Sequence, residues 1–308
     1  MYIAQALKGL HDWWRYLLGL VIVLIAWQVL GGLPFLIAIL VKVLNTGGNL
    51  SSFNKTDLLS MLEPNLNLFL MLLMFAFGLW ALFYVVKKLH KLPLLYLTTT
   101  RKKVDWKRFW FMFTLWAVVS VALFGVDYYM QPQHYQLNFK LVPFIILVII
   151  ATVLIPIQTS FEEYLFRGYL MQGIGVILNN KLAPLIITSL VFGLLHLANP
   201  EVDKLGPIIM VYYIGTGLFL GIITLMDEGL ELALGFHAAN NLFTALLVTA
   251  DWTALQTHSI FKDVSNPEVV NLTEILLPVF VIFPIIILVL TKRYKWNNWS
   301  AKLSGTIK

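Results

Sequence analysis

Along the chain, long apolar runs alternate with short polar breaks, and the runs have the length needed to cross a bilayer. Eight helices are predicted from them: Tyr16 to Val41, Leu66 to Val86, Phe109 to Val126, Leu141 to Ile157 with an apolar extension, Leu182 to Ala198, Pro207 to Met226, Leu232 to Ala250, and Ile275 to Leu290. About 20 apolar residues rising 1.5 Å each span a hydrocarbon core of about 30 Å. The expected fold is therefore all-α, a polytopic membrane bundle of about eight helices. The first run is too long for a signal-peptide core and no small-residue cleavage site follows it, so it reads as a retained span. Three regions are expected: 1–140 with three spans and no motif, 141–250 with all the polar motifs, and 251–308 with an external loop, the last span and a basic tail. The longest polar stretches, near Asn45 to Asn65 and Asp251 to Thr273, are too short for a core of their own. There is no internal repeat.

Composition supports the pattern. Of 308 residues 59% are hydrophobic and 12% charged, with mean hydropathy +0.80, which excludes an ordinary soluble domain. The net charge of +6 would suit nucleic acid, but no base- or phosphate-binding motif accompanies it, and its distribution fits membrane topology instead. With the N-terminus inside, seventeen of the 22 basic residues fall on inner segments: Lys8 and Arg15, the eight from Lys87 to Arg108, Arg167 and Lys181, and five from Lys292 to Lys308. Five are outside, namely Lys42, Lys55, Lys140, Lys204 and Lys262. Trp13, Trp14, Trp106, Trp110, Trp296 and Trp299 flank the same inner ends, where amphipathic rings prefer the headgroup level. Both termini are thus expected in the cytoplasm, in a membrane of bacterial plasma-membrane type. The absence of cysteine removes disulfide and thiolate chemistry.

Candidate chemistry comes from polar residues inside the apolar runs. The segment Ser160-Phe161-Glu162-Glu163-Tyr164-Leu165-Phe166-Arg167-Gly168 holds two acids, and His196, His237, Asn240 and Asn241 follow in later runs. Each charge at membrane depth costs roughly 2.5–3.5 kcal/mol on insertion scales, so such groups imply a task. Residues four apart share a helix face, which pairs Glu163 with Arg167 and leaves Glu162, about 100° round, free. A free carboxylate in a low-dielectric site can serve as general base near neutral pH, whereas a paired one stays ionised. His237 and Asn241 also share a face. Singly, the bland readings prevail: Glu163–Arg167 as a structural ion pair, His196 as a packing residue, Asn240 and Asn241 as interhelical glue. Together, so many costly groups argue for chemistry. One difficulty stands against a shared site. If the fourth span ends near Ile157, Glu162 lies at the inner surface and His196 about 21 Å deeper, unless Pro143 or Pro156 breaks or tilts the helix.

The order Glu-Glu-x-x-x-Arg (Glu162, Glu163, Arg167), Phe-x-x-x-His (Phe192, His196) and His-x-x-x-Asn (His237, Asn241) resembles the CPBP, or Abi, family of intramembrane proteases, which includes the type II CAAX prenyl endopeptidases. The resemblance covers roughly Leu141 to Ala250. It implies cleavage of a peptide or membrane-protein substrate within the membrane, at a site open to the cytoplasmic side. It also implies that Glu162 activates water with help from His196, while His237 and Asn241 stabilise the oxyanion. Members are often described as metalloproteases, which makes Glu162, His196 and His237 the candidate zinc ligands; a metal-free mechanism uses the same residues. There is no serine elbow, and Gly215-Thr216-Gly217 is followed by Leu218 rather than the Asp of a presenilin-like protease. A transporter or proton relay could use the same Glu and His residues, and a non-catalytic immunity or scaffold member would carry the same fold.

Overall fold

The computed structural model describes residues 1–46, 61–267 and 272–307; Lys55 and Lys308, both counted in the charge argument, lie outside them. Every predicted apolar run contains a helix: α1 (Trp13–Asn45), α2 (Pro64–Lys88), α3 (Trp106–Met130), α4 (Leu141–Leu178), α5 (Leu182–Ala198), α6 (Ile209–Asp227), α7 (Glu231–Leu247) and α8 (Leu272–Tyr294). Six of these are long and apolar enough to cross a membrane, by length and composition. The other two are α5, apolar but shorter, and α7, with 17 residues. Large apolar side chains such as Leu17, Ile37, Val118, Ile149 and Leu288 are exposed on the bundle surface, as helices facing lipid require.

Close helix contacts form where side chains are small. A Cβ on Gly235 of α7 would collide with the Phe109 carbonyl of α3, and one on Gly217 of α6 would lie 2.8 Å from the Ser189 carbonyl of α5. Small residues let backbones approach where lipid supplies no hydrophobic drive. Between the helices, Phe219 stacks on Phe283 at 4.5 Å beside Trp116 and Phe236, and a second cluster joins Val23, Leu82 and Phe161.

The fourth helix corrects the sequence reading. Instead of ending near Ile157, α4 runs on to Leu178, 38 residues in all, through Pro156 and a π-helical stretch at Tyr164–Leu170. Neither proline breaks it. Pro143 sits in its first turn, where a missing N–H costs little, and Pro156 removes one donor while Thr159 Oγ1 bonds back to the Ile155 carbonyl (3.0 Å). The polar run after Ile157 stays helical because its side chains find partners within the bundle. The depth conflict disappears as well: from the α4–α5 turn, Glu162 is sixteen residues up one helix and His196 fourteen up the next, about 24 and 21 Å.

Loops gather at two ends. At the basic end, Leu10 N–H donates to the His90 carbonyl, Leu230 N–H to Thr98, and Lys181 N–H to Gly305. There Arg101 bonds Asp227 (2.9 Å) and Glu231 (3.0 Å), and Arg108 also bonds Asp227. At the opposite end a small sheet, absent from the sequence reading, sets β3 (Phe261–Asp263) antiparallel to β1 (Tyr135–Leu137) and parallel to β2 (Val248–Thr249). Asn65 reaches the Pro143 carbonyl (2.9 Å) and Glu201 accepts from Ala254 N–H (2.9 Å) at this same end.

Candidate active site

Both acids of α4 meet one histidine of α7. His237 Nδ1 lies 2.8 Å from Glu163 Oε1 and its Nε2 3.5 Å from Glu162 Oε2. Glu163 also takes Arg167 at 2.8 Å, the one-turn pairing that the spacing predicts, and both side chains are fully buried. The second guanidinium nitrogen donates to the Gly217 carbonyl (3.1 Å), and the group lies 4.3 Å over the Phe192 ring. Arg167 therefore belongs to the bundle interior rather than to the inner loops, which makes the basic asymmetry sixteen to five. Glu162 is not free of partners: Gln158 Nε2 donates to its Oε1 at 2.7 Å.

This arrangement orders protons. Glu163 only accepts, so the His237 nitrogen beside it carries a hydrogen. The other nitrogen then faces Glu162 Oε2 at 3.5 Å as an acceptor. Glu162 Oε1 is meanwhile held by a line of amides. Trp116 Nε1 donates to Asn240 Oδ1 (3.0 Å), Asn240 Nδ2 to Asn241 Oδ1 (3.0 Å), and Asn241 Nδ2 to Gln158 Oε1 (3.0 Å). Each donor orients the next, and among the described residues one N–H of Asn241 is left uncommitted.

Glu162, Gln158, His196, Asn240 and Asn241 line a cavity of about 440 Å³ whose other walls include Trp27, Phe75, Phe161, Phe166 and Phe192. His196 Nδ1 donates to the Phe192 carbonyl (2.8 Å) and its ring stacks on Tyr213 at 4.3 Å, so a neutral ring presents its Nε2 as an acceptor. His237 is 5% exposed and stands behind Glu162 rather than on the cavity wall. The structure thus brings Glu162, His196 and Asn241 to one cavity, with Glu163, Arg167 and His237 as the buried support of Glu162.

The family model for the type II CAAX prenyl endopeptidase, Rce1-like, matches residues 138–243. An uncharacterized protein of Bacillus subtilis (strain 168), YyaK, is 31% identical over 246 residues, covering 80% of this chain and 81% of that protein. The chain belongs to the Rce1-like family. No solved structure matches it. As an Rce1-like protein with apolar helices throughout, it is an integral membrane protein of an endopeptidase family. The matched segment runs from just before α4 to Phe243 and contains all three motifs.

The zinc set suggested for Rce1-like residues Glu162, His196 and His237 does not assemble. Among the described residues no three His, Cys, Asp or Glu side chains are grouped to hold a metal ion. His237 Nδ1 is held by Glu163 and its Nε2 stands 3.5 Å from Glu162 Oε2, while His196 keeps its Nε2 free on the cavity wall with Nδ1 on its own helix. Two members of the amide line escaped sequence reading, Gln158 and Trp116. Gln158 is one turn before Glu162, the spacing that identified Arg167, and Trp116 is far from either interface, where an indole N–H needs a partner.

Proposed function

We propose that this Rce1-like protein is a glutamate-dependent intramembrane endopeptidase. Glu162 takes a proton from a water in the cavity while the water oxygen adds to the substrate carbonyl, and His196 Nε2 accepts from the same water. The free N–H of Asn241 donates to the resulting oxyanion, in a site where a preorganised donor acts without competing solvent. On collapse the C–N bond breaks and the amine leaves with the proton held by Glu162. His237 shares that proton across the 3.5 Å contact and Glu163 balances the charge, so the pair acts as a proton reservoir behind the base. This differs from the expected role of His237, because an imidazole buried behind Glu162 serves the base rather than the oxyanion.

The observation that carries the reading is the Glu162 carboxylate on a cavity wall, oriented on one oxygen by Gln158 and with His237 Nε2 3.5 Å from the other. Its test is a comparison of new peptide N-termini in membranes of cells making the wild type or Glu162→Gln at equal levels. Termini that vanish with the substitution are expected. Identical sets from the two proteins would defeat the proposal.

A further inference from the structure

We infer that the cavity receives its peptide from the extracytoplasmic side of the membrane, an inference that rests on the peptidase reading of the same cavity. Every wall residue outside the eight long helices comes from the sheet end of the bundle: Asn199 and Glu201 after α5, Val248 in β2, and Thr253 to Leu255 beyond it. None comes from the turns at Leu89–Asp105, Asn179–Lys181 or Glu228–Leu230. Below the site those turns are closed by Tyr2, Ile3, Met171, Leu185 and Leu230, all buried, and by the Arg101–Asp227–Glu231 cluster. The closed end is the basic one, with fifteen cationic residues against four among the described residues, and the positive-inside rule places it in the cytoplasm. The mouth therefore faces away from the cytoplasm, opposite to what the resemblance implies.

Side and wall chemistry together define the substrate class. The aromatic walls suit an apolar segment. At the mouth, Glu201 gives one oxygen to Ala254 N–H, while the other is buried with no partner among the described residues, an acceptor for a donor on the ligand. The occupant is an apolar stretch of a translocated chain, flanked by a cationic or N–H donor group, and not a lipid-modified terminus offered from the cytoplasm.

The cysteine-free chain makes the test direct. Thr253→Cys at the mouth, Thr244→Cys on the exposed wall and Lys102→Cys at the basic end are each treated in intact spheroplasts with a membrane-impermeant maleimide. Labelling of the two threonine positions is expected from outside, and of Lys102→Cys only after permeabilisation. The reverse pattern, or the same response at all three positions, would overturn the inference. An internally quenched apolar peptide flanked by lysine, added outside right-side-out and inverted vesicles, should be hydrolysed only by the former and not by Glu162→Gln. Hydrolysis by inverted vesicles alone would also overturn it. If neither orientation cleaves, the peptidase reading fails, while the thiol pattern still decides the side of access.

Discussion

Two clusters of buried charge lie on neighbouring turns of α7, about 9 Å apart along the helix from Glu231 to His237, and they are finished differently. At the basic end every carboxylate oxygen has a donor: Asp227 takes Arg101, Arg108 and Trp296 Nε1, and Glu231 takes Arg101 and the Asp105 N–H. In the site, Glu163 Oε2 and Arg167 Nε have no partner among the described residues, and Glu162 Oε2 faces only an imidazole nitrogen at 3.5 Å. A saturated cluster fixes geometry and does little else. An unsaturated one costs stability and keeps capacity for a proton and a water, so the degree of satisfaction separates a strut from a site when residue types do not.

That contrast can be broken by substitution. Glu163→Gln should do most damage: it unpairs Arg167 in the buried interior and is expected to cost about 3 kcal/mol of stability, as well as activity. Thermal unfolding in detergent measures it, and a wild-type melting curve would mean that the pair is not the support described. Glu162→Gln should leave melting near wild type while lowering kcat at least about 100-fold, the usual share of a general base. Glu231→Gln, in the saturated cluster, is expected to show the opposite split, losing about 2 kcal/mol of stability with kcat retained; a kcat as low as that of Glu162→Gln would erase the distinction. Gln158→Leu, which frees Glu162 from the amide line, should lower kcat about 10-fold with little change in KM, equivalent to one charge-assisted hydrogen bond of about 1.4 kcal/mol.

The smallest effect concerns pH. His90, between α2 and α3, is buried with Nδ1 on the Leu10 carbonyl (2.7 Å) and Nε2 on the Tyr169 hydroxyl (2.9 Å), and burial holds its pKa below the usual 6.5. The unfolded chain then binds a proton that the folded one refuses. The resulting stability is present above pH 6.5 and fades as pH falls toward the lower folded value. Melting temperature should drop on acidification in the wild type and less in His90→Gln; parallel curves would remove His90 as the cause.

The helices were legible because apolar runs of bilayer length leave few alternatives, and the Glu163–Arg167 pair because one-turn spacing fixes it. The end of α4 was not. Gln158, Glu162, Glu163 and Arg167 look like a loop when weighed by hydropathy alone, and only contacts with α6 and α7, remote in sequence, make them affordable inside a helix. Strands of two or three residues carry too little alternation to register. Asp227 and Glu231 escaped notice although they flank a break four residues apart, since Arg101 and Arg108 had already been explained by topology. The side on which the cavity opens depends on which loops meet, information that no single run contains.

The length of α4 has a practical consequence. Its 38 residues extend about 57 Å, nearly twice a hydrocarbon core of about 30 Å, yet α2, α3, α6 and α8 have only 19 to 25. Much of the surplus is clothed by protein, because Tyr2, Ile3 and Ala6 pack on Met171 and Val176 near its end. The greasy girdle that a micelle or nanodisc has to cover is therefore set by the shorter helices. A detergent chosen to match α4 would be too thick, and would compete with the N-terminal segment for the very surface that segment protects.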